Sequence, residues 1–235
     1  MNPFLSSLLP ADDEVRVRAL DRYQLLDARS EKVLDDVVAA TARLFGVSNA
    51  MLSIVEKDTV LVKAPYNLPA PIERVPREQS VCSATILQDD TTVFEDVEKT
   101  GVPGVDLTLV RQLGLHFYAG HNLRTPDGHN LGTLCILDGP PRRFTPAERS
   151  LLSRLAAVVM RLLELRRVLG PHTGLTASLW EIVYRAIGEQ LKRLTDLAQR
   201  IGPATGRQLS PAAAQEAGAI VGIIDQFLAS TLQRR

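Results

Sequence analysis

The groups in this sequence able to do chemistry beyond packing are few: two thiols, Cys82 and Cys135, and two polar rings two residues apart, His116 and Tyr118. Two cysteines so far apart are too few for a disulfide framework and wrongly spaced for a zinc site. As a pair they would be a redox couple. Neither, however, is flanked by a base or a cluster of positive charge that would favour the reactive thiolate. Cysteine is also among the commonest small buried hydrophobes, so the expectation is two packed, non-catalytic thiols. His116 and Tyr118 alternate with Leu115, Phe117 and Ala119, which puts both rings on one face of a strand. Together with Tyr66 and the two cysteines they are the candidates for lining a ligand pocket. No catalytic residue and no metal ligand set is expected.

The elements that must position these residues are legible in the pattern. Residues 12–26 read as a helix opened by Asp12 or Asp13. A stronger helix follows: Ser30 as cap, Leu34, Val37, Val38, Thr41, Leu44 and Phe45 on one stripe, and Gly46 as terminator. Residues 47–55 and 60–64 read as strands about a polar turn, and residues 65–79, with four prolines, as a loop over the sheet. Residues 80–88 suit a short helix, 91–94 a short strand, and 101–113 a loop running into a helix. Residues 115–123 and 131–138 flank Thr125-Pro126-Asp127-Gly128, whose proline fixes φ and whose glycine accepts positive φ, so they predict a hairpin.

Beyond the hairpin the chain is helical. Thr145-Pro146-Ala147-Glu148 combines an N-cap, a first-turn proline and a capping-box glutamate. Leu151, Leu155, Val158, Leu162, Leu165 and Leu169 then recur four and three residues apart, the spacing of a coiled-coil seam, and predict a dimer helix. Two amphipathic helices, over residues 178–201 and 211–233, are each expected to open on a serine. The order predicts an α+β fold with helices packed on one face of an antiparallel sheet. Two units are expected, over residues 12–169 and 175–235, the second a helical hairpin for dimerisation or docking.

Composition narrows the function classes. Apolar residues make up 45 % and charged residues 23 % of 235, ordinary for a chain with a full core. Lys plus Arg and Asp plus Glu both total 27, so nothing suggests the basic surplus that nucleic-acid binding needs. No apolar run reaches the roughly eighteen residues of a membrane span, and the N-terminus lacks the features of a signal peptide. A cytoplasmic protein without nucleic-acid or membrane partners is expected.

Several segments together resemble the GAF domain of bacterial signalling proteins: residues 18–27 (RALDRYQLLD), 79–86 (QSVCSATI), 115–120 (LHFYAG), 131–138 (LGTLCILD) and 143–148 (RFTPAE). The resemblance covers about residues 14–169. It implies a sheet of five or six antiparallel strands with terminal helices on one face and a ligand pocket on the other. It also implies a homodimer that signals along its terminal helices to a separate output protein, and a short pocket-side helix starting at Cys82. Family cofactors find no motif here. Cys82 is followed by Ser83 rather than the histidine usual beside a bilin-bearing cysteine, the Asn-Lys-Phe-Asp-Glu pattern of cyclic-nucleotide GAF domains is absent, and His116 is no more than a haem-ligand candidate. The cofactor is therefore unknown. Residues 121–126 (HNLRTP) resemble the phosphoacceptor box of histidine kinases, but they sit on a strand ending in a turn and no ATP-binding motif follows. The function expected is a small-molecule-sensing or regulatory module, not an enzyme. The alternatives are a ligand-free dimeric scaffold or a thiol-based methionine-sulfoxide reductase.

Overall fold

The computed structural model describes residues 6–26, 31–170, 175–202 and 208–233, with residues 175–177 described by their backbone alone. Ser30 lies outside the described residues. The chain runs α1 (Asp13–Asp21), α2 (Lys32–Phe45), β1 (Asn49–Val55), β2 (Thr59–Tyr66), β3 (Arg74–Pro76), a 3-10 turn at Arg77–Gln79, α3 (Val81–Thr85), β4 (Thr92–Phe94), α4 (Val97–Thr100) and α5 (Thr108–Gln112). It continues with β5 (Phe117–Arg124), β6 (Asn130–Asp138), α6 (Pro146–Leu169), α7 (Leu175–Ile201) and α8 (Pro211–Gln233). The six strands form one antiparallel sheet in the order β3-β2-β1-β6-β5-β4. The expected α+β sheet with helices on one face is thus present.

Strand alternation divides the sheet into two faces. Ala50, Leu52 and Ile54 of β1, Leu134 and Ile136 of β6, and Phe117 and Ala119 of β5 join the core under α2 and α6. Val55, Tyr118, Cys135 and Leu137 form a second core on the other face with α3 and its neighbouring loops. The centre of the sheet is tight. A methyl group on Gly132 would stand 2.9 Å from Ile54 Cα, so only glycine lets β6 approach β1 there.

The local signals act as chemistry dictates. Gly46 ends α2 in the left-handed region at φ 61°. Gly128 takes φ 94° in the β5–β6 turn and donates to Thr125 O at 2.9 Å. Thr145 and Glu148 form the capping box of α6. Residues 65–79 hold more than a loop: Arg74–Pro76 adds an edge strand, its proline at the end where no ladder N–H is needed. Ser178 does not open its helix but falls inside α7. Ser210 does precede α8, accepting from Ala213 N at 3.2 Å.

The heptad seam is covered within the chain. Leu151, Leu155, Val158, Leu162, Leu165 and Leu169 are all buried within the single chain, none more than 6 % exposed. Leu152, Ala156, Val159 and Leu163 are buried as well, so α6 is apolar on two sides rather than along one narrow stripe. The sheet covers one side and α8 another, while α7 covers α2 and packs on α8. A seam read as a dimer contact is therefore filled from within the chain. Arg142 and Glu148 pair in full burial, and Glu148 also accepts from Leu209 N at 3.1 Å, which pins the start of α8 to the start of α6.

Candidate functional site

A cavity of about 60 Å³ opens on the sheet face away from the long helices. Its floor is Tyr118 of β5, Leu137 of β6, Val62 of β2 and Met51 of β1. One wall is Val81 and Cys82 at the start of α3; the rim is Leu68, Ile72 and Val75 on one side and Leu109, Val110 and Leu113 on the other. The rim is half-buried, whereas Cys82 and Tyr118 are fully buried below it. No charged side chain lines the cavity; Gln79 and Ser80 supply its polar edge. Such a site admits small, uncharged, largely apolar molecules, because an unpaired charge would lose its hydration without compensation.

Each wall is held by specific contacts. Ser80 caps α3, its hydroxyl accepting from Cys82 N at 3.3 Å. The 3-10 turn leading into it is anchored by Arg77, which is fully buried and donates to Leu8 O at 3.0 Å and to both carboxylate oxygens of Asp13, at 2.9 and 3.0 Å. Arg16 shares Asp13 and donates to Val55 O. Burial would raise the Asp13 pKa, but the hydrogen bonds from Arg77 and Arg16 outweigh it and hold the carboxyl below its ordinary range.

Beneath the wall lies a polar cluster in an otherwise apolar face. Register places Met51 opposite Cys135, Ser53 opposite Thr133 and Gly120 opposite Cys135. The Cys82 and Cys135 sulfurs are 3.9 Å apart. The Tyr118 hydroxyl reaches Cys82 Sγ at 3.6 Å and Thr85 Oγ1 at 2.8 Å, the Cys135 sulfur also lies 3.6 Å from Met51 O, and Ser53 and Thr133 share a hydroxyl bond of 2.9 Å. The Cys135 thiol directed at Cys82 favours the Cys82 thiolate; burial opposes this, and hydrogen bonds from Ser53, Thr133 and Tyr118 assist it. The net shift of the Cys82 thiol is downward. Burial, reinforced by the neighbouring Cys82, pushes Cys135 well up, and burial likewise raises Tyr118.

Of the sequence candidates, Cys82 and Tyr118 line the cavity and the others do not. Cys135 sits behind Cys82, in contact with it but away from the cavity. His116 precedes β5 instead of belonging to it; its side chain is 43 % exposed and faces Asp96, Nδ1 to Oδ1 3.9 Å. Tyr66 lies on the opposite face, packed on the helix-side core with the Arg43 guanidinium 5.8 Å from its ring centroid. A register shift explains it. Leu52 pairs with Ala64 and Ser53 with Val62, so Lys63 is an extra residue, and every β2 side chain beyond it changes face. Sequence reasoning missed the apolar rim, whose residues lie in the proline-rich segment 65–79 and on or just after α5 and carry no chemical signature of their own. Among the described residues no cluster of three or more His, Cys, Asp or Glu could hold a metal ion. No helix among them is long and apolar enough to cross a membrane.

The pattern that defines the GAF domain matches residues 29–163, more than half of the chain, and the chain belongs to the GAF domain family. A cyclic di-GMP phosphodiesterase of Pseudomonas aeruginosa is 32 % identical over 154 residues, which is 64 % of this chain but only 26 % of that protein. The chain thus spans about a quarter of this relative's length. Among solved structures, the PixJ GAF domain of Thermosynechococcus elongatus in its blue-light-absorbing form has 18 % identity and a TM-score of 0.50, covering 68 % of this chain and 92 % of that one. The free methionine-R-sulfoxide reductase of Neisseria meningitidis, solved with its substrate, has 17 % identity and a TM-score of 0.47, with 66 % and 93 % covered.

Proposed function

We propose that the protein is a regulatory, non-enzymatic GAF module of a bacterial signalling system, acting in the cytoplasm. It takes a small uncharged molecule into the sheet-face cavity and relays its state through the terminal helices of a homodimer to a separate output protein. The observation that carries this is the apolar cavity between rim residues of two loop regions and the sheet floor, on the face opposite the long helices. The 32 % identity to a cyclic di-GMP phosphodiesterase supports a signalling context; that activity belongs to a much longer protein. At about 60 Å³ the cavity equals about two water molecules' share of liquid volume, so a larger ligand binds by moving the rim, and that movement is the signal. The mechanism is a population shift between rim arrangements that differ in affinity for the ligand.

Native mass spectrometry of the purified protein, with an absorption spectrum of the same sample, tests this. Retained mass in the wild type that is lost in Val110→Trp, which fills the rim, supports a ligand site. Where nothing is retained, thermal-shift titration with indole and short n-alkanols replaces it, and stabilisation must again vanish in Val110→Trp. No retained mass and no stabilisation by any probe would favour a ligand-free scaffold. The same spectra count subunits, and a monomer would remove the homodimer.

A further inference from the structure

We propose that Cys82 and Cys135 are a hydroperoxide-reactive pair: Cys82 is oxidised through the sheet-face cavity, and Cys135 resolves it as an intramolecular disulfide. This goes beyond reversible ligand binding, and it stands on the placement of the two sulfurs. They lie 3.9 Å apart on two different elements, the start of α3 and the middle of β6. A disulfide needs about 2.05 Å between sulfurs, so the gap closes by side-chain rotation and a small movement of a helix only five residues long.

The two thiols are not equivalent. Cys82 lines the cavity and Cys135 does not, so an oxidant entering from solvent meets Cys82 first. The Cys82 sulfur accepts from the Tyr118 hydroxyl, itself oriented by Thr85, with the Cys135 thiol on its other side. These donors favour a thiolate at Cys82, the nucleophilic form. The apolar lining admits a neutral hydroperoxide and disfavours charged oxidants or bulky charged disulfides. The cavity is large enough for a peroxide group, at about two water molecules' worth of space.

The chemistry balances. The Cys82 thiolate attacks the hydroperoxide; a sulfur–oxygen bond forms, the oxygen–oxygen bond breaks, and the leaving alkoxide takes a proton to become an alcohol. Cys82 is now a sulfenic acid. The Cys135 sulfur attacks it; the disulfide forms, the sulfur–oxygen bond breaks, and hydroxide leaves as water with the Cys135 proton. Two thiols lose two electrons, and one hydroperoxide is reduced to an alcohol and water. Closing the bond draws α3 toward β6 and breaks the Tyr118–Cys82 contact, so it reshapes the cavity wall.

The test treats the reduced native protein with tert-butyl hydroperoxide or hydrogen peroxide, blocks free thiols, and maps non-reduced peptides by mass spectrometry. A peptide pair joined through Cys82 and Cys135, lost on adding dithiothreitol, is expected. In Cys135→Ser the product stops as a sulfenic acid on Cys82 that dimedone traps; in Cys82→Ser, Cys135 stays unreacted. Cys135→Ala repeats the trap should the serine variant fail to fold. Val110→Trp is expected to slow oxidation by tert-butyl hydroperoxide at least tenfold and by hydrogen peroxide less. The proposal is overturned by the absence of the joined pair at a dose that oxidises the urea-unfolded chain, by equal reaction of Cys135 in Cys82→Ser, or by an unchanged rate in Val110→Trp. None of these outcomes depends on whether a ligand is retained in the cavity.

Discussion

Replacing Glu148 by alanine should loosen the C-terminal helices from the rest of the protein and cost several kcal/mol. The carboxylate is fully buried and accepts from Arg142, from Thr145 N at 2.8 Å, from Thr145 Oγ1 at 3.0 Å and from Leu209 N at 3.1 Å. Removing one partner of a buried ion pair costs about 3–5 kcal/mol. A buried amide left without its acceptor, here Leu209, costs about 1–3 kcal/mol, and these contributions overlap within one network. A net loss of about 4–6 kcal/mol is expected, a large part of the roughly 5–15 kcal/mol that holds a typical domain. At about 2–4 °C per kcal/mol for a chain of this size, Tm falls by about 8–24 °C. Trp180, the single tryptophan and 1 % exposed within α7, reports the loss by fluorescence in urea. Hydrogen exchange should show α8 opening before the sheet. Glu148→Gln, which keeps an acceptor for Leu209 but not the charge, should lose less. A loss in Glu148→Ala below about 1 kcal/mol, with exchange in α8 unchanged, would refute the view that this carboxylate ties the two parts together.

Gly120→Ala should displace Tyr118, because a methyl there would stand 2.8 Å from Cζ of a ring whose hydroxyl Thr85 already holds; about 1–3 kcal/mol of overpacking cost and faster alkylation of native Cys82 by iodoacetamide are expected. Leu155→Ala should cost about 2–5 kcal/mol, as for any large-to-small core change. Urea titration followed by Trp180 fluorescence measures the loss. His121 accepts or donates at both ring nitrogens, to Thr91 at 2.9 Å and to Ser153 at 3.0 Å, and burial lowers its pKa below the ordinary 6.5. The unfolded chain then binds the proton first, so stability falls as pH drops through 6.5 toward the lowered value; His121→Gln should flatten the stability profile over that window.

The sequence by itself determined the elements whose causes are local. The Pro-Asp-Gly turn, the capping box and Gly46 needed only the backbone preferences of a few adjacent residues, and each holds in the structure. Strand alternation also put Tyr118 on the correct face, since a period of two survives wherever the ladder is regular. Tyr66, expected at the pocket, lies on the other face because one extra residue, Lys63, reverses the alternation beyond it, and nothing in the composition of β2 announces a bulge. The seam of Leu151 to Leu169 was visible as an apolar surface in need of a partner, but not which surface would cover it; that was decided by α8 and the sheet, elements distant in sequence. The two cysteines were legible only as separate residues. Sheet register alone brought Cys135 beneath the helix that carries Cys82, because proximity across a fold depends on long-range pairing that no local residue pattern encodes.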